Sequence, residues 1–447
     1  METMLIIAGS DPGAGAGLQQ DLKVATLLGT YGLTVVTALT VQNSLGVRAV
    51  HPVAPEVVDA QLEAIFSDFP VAAVKVGMLG SGEIARVVAR RLKRHQPQYL
   101  VVDPVLAASS GAALLDPAGI QALKEEIFPI TYLLTPNAPE AALLTGLEVG
   151  NPADLEDAAR RLQKLGPAWV LAKGGHLPGE PVDVLTDGAN AYHLSGPRLV
   201  APHSHGSGCA LASACAAYLA RGLSLPEAVS QARTLVAQAL RWGLPLGRGR
   251  GPVNPYASFA RDLARYRVIE SLRKAAARLQ KEDISPLVPE VLSNLGYAAP
   301  YAEGPQDVAA FPGRLVPTPE GLLIPAAPAF GASEQMTALL LAVIGTYPLL
   351  RSAMNIKYFP GLEEMAPLLA LKVAPLPEPQ KAAGPGESLA SRLAAVFRPG
   401  TPPPDLIHDP EDGGGEPMVY ILGPAPQVVV EKALALKNAA CAAGKLG

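Results

Sequence analysis

In the heptapeptide SHGSGCA, residues 204–210, Gly206 and Gly208 flank Ser207 directly before the helical run Ala210 to Ala220. Glycines at a helix start let successive backbone N–H groups point at one anion, so Gly206, Ser207, Gly208 and Cys209 form a candidate anion hole. The positive end of the helix also favours thiolate, which makes Cys209 a candidate catalytic side chain. The competing reading is a small buried hydrophobe, the usual fate of a free cysteine, and Cys215 on the same run receives only that one. A second glycine loop, Gly13-Ala-Gly-Ala-Gly17, also joins a strand to a helix. Leu18 stands where a dinucleotide fingerprint has its third glycine, and no Gly-Lys-Ser/Thr follows, so the loop reads as a tight turn.

Side chains that meet at such a helix start must be delivered by neighbouring elements. Apolar runs at 4–8, 33–37, 71–76, 99–103, 132–135 and 169–173 alternate with amphipathic stretches such as 55–66 and 84–94. This alternation predicts an α/β fold with a mostly parallel sheet. Parallel sheets bind ligands beyond the carboxyl ends of their strands, and the polar residues sit there: Gly9-Ser-Asp, Gln42-Asn43, Asp103-Pro104, Asn137 and Lys173-Gly-Gly-His. These loops are expected to converge on one cleft.

A chain of 447 residues exceeds what one hydrophobic core usually organises, so a second domain is expected. The pattern breaks near Gly243-Leu-Pro-Leu-Gly-Arg-Gly-Arg-Gly-Pro, giving domains at 1–250 and 262–447, with a helical stretch from Tyr256 to Lys281 opening the second region. No strand–helix alternation recurs beyond it, and the proline-rich segments 373–386 and 399–404 read as surface loops. A net charge of −4 without long blocks of one sign excludes the electrostatic footprint of a nucleic-acid binder. The apolar runs are too short to span a bilayer, and the amino terminus has no basic leader, so a cytoplasmic chain without membrane contact is expected. Three cysteines make neither a disulfide framework nor a four-thiolate zinc site. The expected partner is a small molecule, and the expected assembly a homo-oligomer.

The stretches IAGSDPGAGAGLQQDLK, TALTVQNSLGV, VKVGML, VVDPV, LTPNAPEAALLTG, KGGHLPGE and HSHGSGC, in that order, resemble the hydroxymethylpyrimidine and phosphomethylpyrimidine kinases of the ribokinase-like superfamily. The resemblance implies a mostly parallel sheet flanked by helices, with ATP and magnesium (Mg2+) as cofactors. It implies that Cys209 fills the place of the aspartate base carried by most ribokinase-like enzymes. Gly9, Asp21, Gln42 and Met78 would surround the pyrimidine, Asn137 and Glu140 would serve magnesium and phosphate, and Asp103 and Lys173 would lie near the nucleotide. A glutamine amide offers both a donor and an acceptor, which suits Gln42 to an aminopyrimidine edge. Glu140 and Asp103 offer the oxygen ligands that magnesium prefers. His176, His203 and His205 have no companions at ligand spacing and read as solvated loop residues. Ser109 stands where many relatives have Lys or Thr, and Ser207 replaces a common Thr. A pyridoxal or sugar kinase is the rival reading, and Cys209 with the Gln42-Asn43 pair argues against the sugar.

From about residue 262 the stretches PEVLSNLGYA, DVAAFPGRL, PAFGASEQM, RSAMNIKY and GEPMVYILG resemble a thiamine-phosphate synthase domain fused behind such kinases. That implies a second α/β or α+β domain that joins the pyrimidine pyrophosphate to a thiazole phosphate. Arg314 matches an arginine expected at the departing pyrophosphate, and Asp307, Ser333, Asn355 and Lys357 lie in neighbouring motifs. Gln335 stands where the family has histidine, and an amide cannot supply a titrating proton near neutral pH. A domain that binds thiamine phosphate without making it is therefore the alternative.

Overall fold

The computed structural model describes residues 1–108, 111, 113–377, 389–398, 400–409 and 416–446. Ser109 and much of the proline-rich stretch 373–386 lie outside the described residues. The chain divides into two compact units, Met1–Ser258 and Phe259–Gly447.

In the first unit the order is β1 (Thr3–Ser10), α1 (Gly17–Leu27), β2 (Tyr31–Asn43), β3 (Gly46–Pro52), α2 (Pro55–Asp68), β4 (Ala73–Val76), α3 (Gly82–His95), β5 (Tyr99–Val102) and α4 (Pro117–Ala122). It continues with β6 (Leu133–Leu134), α5 (Ala138–Thr145), α6 (Pro152–Gln163), β7 (Trp169–Ala172), β8 (Val182–Thr186), β9 (Ala191–Ser195), α7 (Ser207–Ala220) and α8 (Leu225–Arg241). The strands form one nine-stranded sheet in the order β3-β2-β1-β4-β5-β6-β7-β8-β9. From β2 to β7 all neighbours are parallel, and antiparallel pairs close both edges.

Strands buried on both faces read as continuous apolar runs, which is why the AVKV of β4 is fully buried. Leu5, Ile7, Val74, Val76, Val102 and Leu134 pack with residues of α2, α3, α5 and α6. Their alternating neighbours Met4, Ile6 and Ala8 are equally buried on the opposite face, where α1 and α7 contact β1. Local signals set the helix ends. Ser81 accepts the N–H of Ile84 at the start of α3, and Lys93, Arg94 and His95 complement the dipole at its end, where Gln96 turns left-handed. Because the central strands run in parallel, Asp11, Met78, Asp103, Asn137 and Lys173 all follow strand ends on one edge of the sheet.

The second unit begins within α9 (Ala257–Lys281) and continues through β10 (Leu295–Ala298), β11 (Val308–Ala310), β12 (Val316–Thr318), β13 (Gly321–Leu323), β14 (Ala329–Phe330) and α10 (Glu334–Thr346). Then come β15 (Ser352–Lys357), α11 (Leu362–Leu368), β16 (Val373–Pro375), α12 (Leu389–Val396), β17 (Leu406–Asp409), β18 (Met418–Gly423) and α13 (Pro426–Ala442). A seven-stranded sheet, β14-β11-β10-β15-β18-β17-β16, is antiparallel except between β16 and β17. Leu295, Met354, Ile356, Val419 and Ile421 pack on residues of α9 and α13, while a Cβ added to Gly296 would meet Met336 of α10 on the other face. Strands and helices do recur here, contrary to the sequence expectation. Their strands are two to six residues long, too short to declare a period.

Candidate functional site

The glycine loop after β1 is closed by its own anion. Asp11 accepts the N–H of Gly13 at 2.8 Å on Oδ1 and those of Gly15 and Ala16 at 3.1 and 3.0 Å on Oδ2. A carboxylate occupies the amides that a phosphate would need, so the loop is a turn. It interlocks with the loop before α7. Gly206 has φ +81°, and a Cβ there would lie 1.8 Å from the carbonyl oxygen of Gly15; Gly17, at φ +58°, approaches the oxygen of Gly9 to 2.3 Å in the same sense. Only glycine tolerates both the dihedral and the approach.

Gly206 caps α7 without a side-chain cap, and Ala210 donates to its carbonyl at 2.9 Å. The N–H groups of Gly208 and Cys209 have no acceptor among the described residues, which leaves the helix start able to take an anion. A Cβ on Gly208 would lie 3.3 Å from Lys173 Nζ and 3.5 Å from Asp103 Oδ2. Lys173 and Asp103 pair at 2.9 Å, and Thr135 donates to Asp103 at 3.3 Å. Burial works to lower the Lys173 ammonium, but Asp103 and Glu140 outweigh it and hold it above its ordinary value. Asn137 is brought beside Lys173 by a parallel bridge that extends the β6–β7 pairing.

The Asn-x-x-Glu motif is spent locally. Asn137 Oδ1 accepts the Glu140 N–H at 2.9 Å, Glu140 Oε2 accepts the Asn137 N–H at 2.8 Å, and Oε1 accepts that of Leu106 at 3.4 Å. This is a capping box at the start of α5. Burial raises the Glu140 carboxyl, Lys173 opposing and Asp103 reinforcing.

Cys209 departs from the thiolate expected at a helix start. The residue as a whole is half-buried, yet the groups packed around its sulfur exclude enough water to push the thiol up to about 11. Lys75 opposes this shift, Asp21 and Asp103 reinforce it, and the Gly17 N–H donates to the sulfur. Desolvation outweighs the helix terminus.

Asp21 does not line an open pyrimidine pocket. It is fully buried, 2.6 Å from the equally buried Lys75 ammonium, and it accepts Ser213 Oγ at 2.8 Å. Ser213 stands one turn beyond Cys209 on α7, so this pair lies beneath the thiol. Burial pulls the ammonium down, but Asp21 holds Lys75 charged, above its ordinary value.

Gly9 meets Met78, whereas Gln42 meets the α7 loop at His205. Met78 is buried against Ala38 and Leu114, with its sulfur 3.0 Å from where a Gly9 Cβ would be. Gln42 Nε2 lies 3.1 Å from His205 Nε2, which is itself 3.1 Å from Asp11 Oδ2. His205 is therefore no solvated loop residue, and His203 accepts the Gly251 N–H at 3.2 Å. Sequence reasoning missed Lys75, counted Asp11 only among the strand-end polar residues, and gave His205 to solvent. The signals were present: an aspartate two residues before the glycine loop, a lysine inside an apolar strand, and a histidine within SHGSGCA.

In the second unit most candidates have structural work. Asn355 is buried, accepting the Asn294 N–H at 2.7 Å and donating to Leu292 O at 3.0 Å, so it is not open to a ligand. Asp307 accepts the Glu303 N–H at 2.9 Å and faces Arg261. Ser333 caps α10 by accepting the Met336 N–H at 3.3 Å. Arg314, at φ +56°, donates to Val291 O. Gln335 Nε2 donates to Tyr420 Oη at 3.1 Å. Tyr420 pairs in register with Asn355, and Lys357 with Met418, so Gln335, Tyr420 and Lys357 share the sheet face that carries α10.

A parallel core with antiparallel edges, polar loops beyond its strand ends and a glycine-flanked helix start with free amides define a ribokinase-like kinase. The family model for phosphomethylpyrimidine kinase matches residues 11–254, and the chain belongs to that family. The model for thiamine-phosphate synthase ThiN matches residues 271–435. The thiamine biosynthesis bifunctional protein ThiED of Geobacter sulfurreducens is 49% identical over 253 residues, 56% of this chain and 52% of that protein; the alignment thus spans about half of that relative. The hydroxymethylpyrimidine/phosphomethylpyrimidine kinase of Mycobacterium tuberculosis is 46% identical over 257 residues, 56% of this chain and 93% of that protein. An ADP complex of Bacillus subtilis pyridoxal kinase is 34% identical with a TM-score of 0.54, covering 58% of this chain and 99% of that one. Identity to the pyrimidine kinases exceeds identity to the pyridoxal kinase, which disfavours the pyridoxal reading. No described helix is long and apolar enough to cross a membrane.

Proposed function

We propose that the first unit phosphorylates hydroxymethylpyrimidine with ATP and then converts the phosphate to the pyrophosphate. The carrying observation is the helix start of α7, where the free Gly208 and Cys209 amides meet Lys173 and Asp103 beside a thiol. In transfer, the substrate oxygen bonds to the γ-phosphorus as the bond to the ADP oxygen breaks, and the helix-start amides with Lys173 offset the charge on the moving phosphoryl group. Cys209 is positioned to take the hydroxyl proton, but only in its rare thiolate form.

The donor set also bears on magnesium. Both Glu140 oxygens are engaged by backbone N–H groups, whereas Asp103 Oδ2 accepts no hydrogen bond among the described residues, Thr135 and Lys173 both reaching Oδ1. Magnesium bound through one carboxylate and nucleotide phosphates suits this set, with Asp103 as the ligand and Glu140 behind it. Magnesium would supply charge neutralisation on the phosphates.

For the second unit, joining the pyrimidine pyrophosphate to thiazole phosphate is the reading that the ThiN match supports. The Gln335 amide on Tyr420 favours a second reading, a module that binds thiamine phosphate without making it. Purified chain incubated with hydroxymethylpyrimidine, thiazole phosphate and ATP tests both. The pyrimidine monophosphate and pyrophosphate must form in a control without thiazole phosphate, and with it the appearance or absence of thiamine phosphate separates synthase from sensor. Phosphorylation of pyridoxal alone would sink the kinase reading.

A further inference from the structure

We propose that His205 is the positioning residue for pyrimidine recognition, and that through it Gln42 offers the ligand one hydrogen-bond donor rather than a donor–acceptor pair. The proposal rests on the reading of the first unit as a pyrimidine kinase and narrows what its pocket selects: a heteroaromatic ring nitrogen with a free lone pair, facing the Gln42 amide.

The geometry requires this. His205 Nε2 faces Asp11 Oδ2 and Gln42 Nε2, each at 3.1 Å. Asp11 also accepts the N–H groups of Gly13, Gly15 and Ala16. Burial works to raise its carboxyl, but His205 and these amides win and hold it below the ordinary carboxylate range. An ionised carboxylate only accepts, so Nε2 carries the hydrogen, whether the ring is neutral or protonated. A ring N–H cannot accept from an amide N–H. Amide oxygen and nitrogen are nearly alike in outline, and the hydrogen-bond network decides between them. The network here places Gln42 Oε1 on His205 and turns the NH2 group away, to the side where the amide has no partner among the described residues.

The ring is held where this matters. A Cβ on Gly15 would lie 2.3 Å from His205 Cδ2, so the imidazole sits directly on the glycine loop. Its backbone is pinned on both sides, His205 N donating to Gly251 O at 3.1 Å and Val253 N to His205 O at 3.0 Å. Asp11, the glycine loop, the α7 loop and Gln42 are thus registered by one side chain.

Steady-state kinetics of the full chain test the proposal. His205→Leu frees the amide to rotate and should raise the pyrimidine KM on the order of tenfold, with the ATP KM unchanged. His205→Gln, whose amide N–H reaches Asp11, should restore a pyrimidine KM near native. In a Gln42→Leu background, His205→Leu should add less than about twofold, since both changes remove the same contact. A pyrimidine analogue with CH in place of the recognised ring nitrogen should be insensitive to Gln42→Leu. Additive effects of the two substitutions, or a parallel rise in the ATP KM, overturn the proposal while leaving the kinase reading intact. A native chain that leaves the pyrimidine unphosphorylated overturns that reading, and the proposal with it.

Discussion

Alkylation of Cys209 should be slow at neutral pH and should accelerate with pH far beyond the range of an ordinary thiol. Burial moves this thiol from 9.0 to about 11. At pH 8 that leaves about 0.1% thiolate, against about 10% for the unshifted group, so modification should slow by about a hundredfold. The assay is iodoacetamide labelling of a Cys441→Ser chain, which removes the exposed cysteine, with the Cys209 peptide quantified by mass spectrometry between pH 7 and 10. The logarithm of the rate should climb with unit slope throughout. A plateau below about pH 9.5 would refute the reasoning, because it would mean that the helix start had outweighed desolvation after all. Turnover should follow the same slope if the thiolate takes the substrate proton, and a flat profile from pH 7 to 9 with steep labelling would remove Cys209 from that role. The linkage sign is fixed as well. The folded state keeps this proton to higher pH than the unfolded chain, so the stability it contributes is intact below pH 9.0 and lost as pH rises toward 11.

Three further outcomes are expected. Gly206→Ala, with φ +81° and a Cβ 1.8 Å from the Gly15 oxygen, should abolish kinase turnover by forcing the interlocked loops apart, and native turnover in that variant would contradict the geometry. Lys75→Met strands a buried carboxylate and should lower the urea stability of the first unit by about 3–5 kcal/mol, with Asp21→Leu added in the same chain recovering much of the loss; an unchanged midpoint would show that Asp21 takes up its proton at no cost. Gln335→His should raise thiamine-phosphate formation without altering kinase turnover, and brisk formation by the native chain would instead make glutamine a competent occupant.

The parallel core was legible in the amino-acid order because strands buried on both faces must be apolar along their whole length, and the runs at 4–8 and 71–76 became β1 and β4. The loops carrying Asp103, Asn137 and Lys173 were legible for the same reason, since they follow such runs at β5, β6 and β7, whereas Gly9 lies within β1 itself. The spacing of Asn137 and Glu140 already spelled a capping box, although the family resemblance drew it toward magnesium. The second unit was less open to reading: its strands are short and mostly antiparallel, so no period announces them. What only the tertiary structure decided are the partners. Asp21 meets Lys75 across 54 residues and Ser213 across 192, and Asp11 meets His205 across 194. Those pairings turn a supposed substrate ligand into a buried counterion and a supposed solvated histidine into the junction of two loops. Cys209 makes the same point through water. Its place at a helix start is written in the sequence, but its protonation depends on how completely distant segments exclude solvent, and that is set only when the chain has folded around it.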